Sequence, residues 1–117
     1  MSQNFQPGDF LVFQIESGFA LLRLLEIDKS SEHWIWHVAA YQDLFFDIET
    51  AESATFTPMK LSDPHIALTT RAFESTQVAR ISNKPLTNDE TALLNAWKSD
   101  PDRKVSDRSV RLMLGLR

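Results

Sequence analysis

The chain has 117 residues, 43% of them apolar, and a formal net charge of −4. That is the composition of one ordinary globular domain with a single modest core. The sequence has no cysteine, which excludes disulfides, thiolate catalysis and cysteine-ligated zinc. It has only three glycines, too few for a phosphate-binding loop or a dinucleotide fingerprint.

In chain order, Pro7-Gly8 reads as a type II turn, because proline presets the first central φ and glycine accepts the positive second one. Residues 9–16 follow as a strand carrying Phe10, Val12, Phe13 and Ile15. Ser17-Gly18 reads as a two-residue hairpin loop. Residues 19–28 make the second strand, with Phe19, Leu21, Arg23, Leu25 and Ile27 on one face and Ala20, Leu22 and Leu24 on the other. Both faces are apolar, so the strand must be covered by barrel closure, by a helix or by a partner chain. A helix is the competing reading, given the leucines. Lys29 to Glu32 is a polar turn. Residues 33–42 form the third strand. His33, Ile35, His37, Ala39 and Tyr41 share a partly wet face, and Trp34, Trp36, Val38 and Ala40 share the core face.

Residues 44–48 suit a short strand and 48–54 a helical turn. Residues 56–61 read as extended, with Pro58 at an edge. Ser62-Asp63-Pro64 reads as a turn, residues 65–70 as a strand, 71–75 as a turn of helix, and 77–82 as a strand. Thr87 and Glu90 form a capping box, so a helix over about 88–99 is expected, with an apolar stripe of Leu93, Leu94, Ala96 and Trp97. Asp100-Pro101 stops it. The C-terminal segment has two readings. In one, Ser106 caps a helix over 107–114; in the other, Val110, Leu112, Leu114 and Leu116 alternate as a strand. The helix is preferred. The expected fold is a single α+β domain over 1–117, β-rich over 7–82. Its centre is a strongly bent antiparallel sheet or small β-barrel of about five strands, with one or two C-terminal helices.

Charge is uneven. From Lys98 onward six cations face three acids, so that segment is +3 and the rest of the chain −7. The basic residues Arg103, Lys104, Arg108, Arg111 and Arg117 lie against the acidic body, or offer a contact for nucleic acid or for an acidic protein partner. The acidic cluster Asp43, Asp47 and Glu49 reads as a solvated loop rather than a catalytic pair. His33 and His37 have the spacing of a helical metal pair. On a strand, however, they stand about 13 Å apart, while each ligand must reach within about 2 Å of the ion. No metal or cofactor is therefore expected. Trp34, Trp36 and Tyr41 could form a stacking platform, although aromatics at period two are core more often. Arg23, set in an apolar strand, needs Glu49 or Asp43 as a buried partner, or else it anchors an interface.

Pro7, Gly8, Asp9 and Gly18, with the later Leu86-Thr87…Glu90…Trp97 segment, resemble a family of small bacterial immunity proteins. Such proteins bind and neutralise toxins from competing strains, and usually pair a β-rich fold with a helical end. The resemblance carries over no functional residues. It implies a protein partner, in line with the residues themselves.

The reading that follows is a non-catalytic protein-interaction module, immunity-like or regulatory. Its interaction candidates are Phe19, Leu21, Arg23, Trp34, Trp36, Tyr41, Asp43 and Asp47. It predicts an exposed apolar patch around Phe19, Leu21 and Arg23, and a protein partner or a homodimer. The alternatives are a nucleic-acid-associated regulator using the basic segment, and a small enzyme with a pocket where His37 meets an acid. No apolar run is long enough to span a membrane, and the first residues lack the pattern of a signal peptide, so a cytoplasmic location is expected.

Overall fold

The computed structural model describes residues 4–115. Its centre is a five-stranded antiparallel sheet with strand order β4-β3-β2-β1-β5. The strands are β1 (Asp9–Ile15), β2 (Gly18–Asp28), β3 (Ile35–Phe45), β4 (Leu61–Thr69) and β5 (Ala79–Asn83). The helices are α1 (Ile48–Ala54), α2 (Thr70–Thr76), α3 (Asn88–Ser99) and α4 (Val110–Met113). β4 and β5 are separate edges, so the sheet is open and not closed into a barrel.

The opening turn forms as expected. Asp9 N donates to Gln6 O across Pro7-Gly8, and Gly8 has φ +92°. The first hairpin differs by one residue. Ile15 pairs with Gly18, so the loop is Glu16-Ser17 and Gly18 belongs to β2. Glycine is required there by close approach. A Cβ at Gly18 would lie 2.2 Å from the carbonyl oxygen of Phe45, and φ is +149°.

β2 is a strand, and the chain covers both of its faces. On one side Ala20, Leu22 and Leu24 join Leu11, Phe13, Trp36, Val38, Leu68, Phe73 and Val110 in the main core. Trp36 stacks on Phe73 of α2, with ring centroids 4.1 Å apart, and donates its indole N–H to Thr70. On the other side Leu21 packs with Val12 and Ala51 of α1, and Leu25 packs with Ala39 and Leu94 of α3. Helices cover the doubly apolar strand, so no partner chain is needed to explain it. A register shift between Leu24 and Glu26 turns Ile27 to the Trp36 side, away from the face that simple alternation assigns to it.

β4 also departs from the expected pattern. Ser62-Asp63-Pro64 is part of the strand, not a turn. Proline is tolerated there because β4 is an edge. Ser106 covers part of that edge through Ser106 N to Ala67 O and Thr69 N to Ser106 O. α3 carries the expected capping box, but its buried face is narrower than the sequence implies. Leu94 is buried and Trp97 half-buried, while Leu93 and Ala96 are exposed. At the C-terminus Ser109, not Ser106, caps a helix of four residues.

Candidate interaction face

Three sites gather part of the residues singled out by the sequence, namely Asp43, Asp47 and Glu49, then Arg23 and Tyr41, then His37. The first lies where β3 ends and α1 begins. Leu44, Phe46 and Ile48 are exposed at 49%, 93% and 45%, within five residues of one another. Asp43, Asp47 and Glu49 stand between and beside them, all exposed. Asp47 caps α1 by accepting the Thr50 N–H at 2.7 Å, which holds its carboxyl below the usual range. The Gly18 backbone lies against Phe45 and Phe46, so the Glu16-Ser17 turn borders the same corner. No Lys or Arg occurs between Lys29 and Lys60, whereas Glu32, Asp43, Asp47, Glu49 and Glu52 do. The corner is therefore apolar at its centre, and the charges its own stretch supplies are all negative; Lys60, whose carbonyl accepts the Gln42 N–H, stands at its β4 side.

The second site is a cavity of about 320 Å³ on the α3 side of the sheet. Arg23 lies at its floor with its side chain 3% exposed. The partner is neither Glu49 nor Asp43 but Glu90 in the first turn of α3. Arg23 Nε donates to Glu90 Oε2 at 3.1 Å. Arg23 also donates to the carbonyls of Gly8 at 2.6 Å and Pro85 at 3.3 Å, and its guanidinium lies 4.1 Å over the Phe10 ring. Burial pushes the Glu90 carboxyl upward, but the Thr87 backbone N–H and Arg23 outweigh this and hold it below its ordinary value. Tyr41 stacks on Phe10, and burial pushes its phenol up to about 12. That hydroxyl stays protonated at neutral pH and acts as a donor, not a base.

The third site is a histidine pair. His37 is fully buried, not partly wet, and its Nδ1 lies 2.9 Å from His65 Nε2. Trp97 closes over it edge-on, 4.7 Å away. Burial and the neighbouring His65 lower the His37 pKa to about 4, and burial lowers His65 as well. His33 is exposed and belongs to none of the three sites. Among the described residues no group of three or more His, Asp or Glu is arranged to hold a metal. The enzymatic reading requires His37 and an acid to converge in a cavity. The Arg23 cavity is lined by Tyr41 and Glu90 but not by His37, whereas His65 lines a separate, shallower depression with Asp63 and Trp97.

The expected patch around Phe19, Leu21 and Arg23 does not form. Leu21 and Arg23 are buried and Phe19 is half-buried under the Val12–Leu21–Ala51 cluster. Trp36 belongs to the core. Trp34 is 40% exposed, and the Lys29 ammonium sits 4.7 Å from its ring centre.

Much of the basic segment is folded onto the body. Lys98 pairs with Glu26 at 2.8 Å, and Arg103 stacks on Trp97. Arg111 donates to Thr76 O and lies over Phe13. Lys104 and Arg108 are exposed, and Arg117 lies outside the described residues. Among the described residues no helix is long and apolar enough to cross a membrane.

The sequence did not single out Glu90 as the partner of Arg23, nor His65 as the partner of His37. The only local signal was the capping box, which places Glu90 at a helix start without saying what else it meets. No protein-family model, curated protein or solved structure matches this chain.

Proposed function

We propose that this protein is a non-catalytic binding module that engages a basic protein partner through the β3–α1 corner. The observation that carries this reading is Phe46, a phenylalanine 93% exposed and followed by Asp47 and Ile48, in a stretch without cations. A solvated aromatic with apolar neighbours is the composition of an interface centre, and aromatic anchors supply most of the affinity at such centres. A rim of carboxylates favours a cationic surface, speeds encounter with it and repels phosphate. Neutralisation of a toxin, which the sequence resemblance implies, is one concrete form of this activity. Self-association loses its main motive, because α1 and α3 cover the strand face that called for it.

The test is affinity capture with the wild-type chain and with a Leu44→Ser/Phe46→Ser variant, the retained proteins being identified by mass spectrometry. A basic protein held by the wild type at low salt, released at high salt and missed by the variant is the expected result. Equal retention by the two chains refutes the reading.

A further inference from the structure

The cavity beside Arg23 has an imbalance of hydrogen-bonding groups. Arg23 uses four of its five N–H groups on Glu90, Gly8 O and Pro85 O, which leaves one on Nη1. Glu90, the carboxylate at this site, already accepts from Arg23 and from the Thr87 backbone N–H. Tyr41 also lines the cavity, and its protonated hydroxyl has no protein partner among the described residues. Lys84 lines the mouth, half-buried. Its ammonium rests 5.3 Å from the Phe56 ring centre and has no carboxylate within salt-bridge distance among the described residues. Donors thus outnumber free acceptors. Arg23 and Lys84 against Glu90 leave this spot cationic in a molecule of net charge −4. The rest of its wall is mixed, with Phe10, Leu25 and Met59 as its apolar part and the Thr55 and Thr57 side beside them.

We propose that this cavity binds a small organic carboxylate. Its anionic end is taken by the Lys84 and Tyr41 donors, and its apolar body lies against Phe10 and Met59. One negative charge matches the local excess of one positive charge, whereas a phosphate dianion would also face Glu90. The apolar part of the wall favours an organic body over an inorganic ion. The site is separate from the β3–α1 corner and stands or falls independently of it.

Benzoate serves as the probe, titrated into the full chain while backbone amide shifts are followed by NMR. Saturable shifts clustered at Tyr41, Thr57 and Lys84 are expected. Lys84→Met, which removes one charge-assisted contact, weakens binding about tenfold. Tyr41→Phe weakens it severalfold, and Phe46→Ser leaves it unchanged. Benzamide, the neutral analogue, binds at least about tenfold more weakly. The proposal is overturned by an absence of saturable shifts or by shifts located elsewhere. It is equally overturned if Lys84→Met binds as tightly as wild type, or if benzamide or inorganic phosphate matches benzoate.

Discussion

His37 and His65 share a single hydrogen bond, 2.9 Å from Nδ1 to Nε2, with the Trp97 indole against both rings. Such a bond needs one donor and one acceptor, so both rings cannot be protonated while it lasts. Whichever ring donates, His37 Nε2 is buried and has no protein partner among the described residues. Glu26 and Asp28 on β2 favour protonation of His37, while burial, His65 and Lys98 on α3 oppose it and prevail. Asp63 on β4 acts in the same favourable direction on His65.

Stability is therefore linked to pH through these groups. The unfolded chain takes up a proton at an ordinary histidine pKa near 6.5, while folded His37 resists it until about pH 4. Between those values the unfolded state binds more protons, so stability is greatest above about pH 6.5 and falls as pH drops toward 4. The expected loss is about 2–3 kcal/mol for His37, allowing for screening, with a contribution of the same sign from His65. Urea midpoints measured from pH 7.5 down to 4.5 check this. A His37→Phe/His65→Phe variant should show a much flatter profile over that window. The carboxyls of Asp28, Glu90 and Asp107, held low by their hydrogen bonds, lose their contribution at lower pH.

The Arg23–Glu90 pair ties α3 to the sheet. Removing one member of a buried pair leaves the other charge uncompensated. Glu90 is 29% exposed, so water recovers part of that cost. Glu90→Ala is expected to destabilise the fold by about 2–3 kcal/mol, including the loss of half the capping box. Glu90→Gln keeps hydrogen-bonding capacity and should cost less. Denaturant unfolding ranks the two. Equal and negligible effects would mean that Arg23 is held by Gly8 O and Pro85 O alone.

The elements with local signatures were legible in the sequence. Pro7-Gly8 specifies its own turn, and Thr87 and Glu90 specify a helix start, because all the atoms involved lie within four residues. Period-two alternation located β1, β2 and β3. It misplaced Ile27, because a register shift at Leu25 reverses the facing beyond it. It also assigned Gly18 to the loop, where the actual constraint is the Phe45 carbonyl on another strand. The candidate sites were less legible. Arg23 was visible as an anomaly, but Glu90 lies 67 positions away. His37 finds its partner on β4, 28 positions away. Such pairings depend on strand order, which hydropathy patterns do not encode. Asp43 and Asp47 were recognised as acidic, but not as neighbours of an exposed Phe46.

Gly18→Ala tests the close approach of β2 to the end of β3. The new methyl would meet backbone, which has no rotamer by which to yield, at a φ that L residues rarely adopt. The expected cost is about 2–3 kcal/mol in denaturant unfolding. At Gly115, φ is +68° but a Cβ meets nothing within 4 Å. Gly115→Ala should therefore cost only about 1 kcal/mol of local backbone strain. A Gly18→Ala chain as stable as wild type would show that β2 and β3 can separate there without penalty.

Phe46 separates binding from folding. Its ring is 93% exposed, so truncation removes almost no buried area. Phe46→Ser should change unfolding free energy by less than about 0.5 kcal/mol. If the β3–α1 corner is the centre of an interface, the same substitution removes an aromatic anchor and costs about 2 kcal/mol of binding, roughly thirtyfold in Kd. Asp43→Asn at the rim should instead act mainly on the association rate, with an effect that fades as salt is raised. The two substitutions thus have different kinetic signatures, dissociation for Phe46 and association for Asp43. Surface plasmon resonance against the captured basic partner resolves them. A Phe46→Ser variant with unchanged stability and unchanged dissociation would remove this corner from the interface.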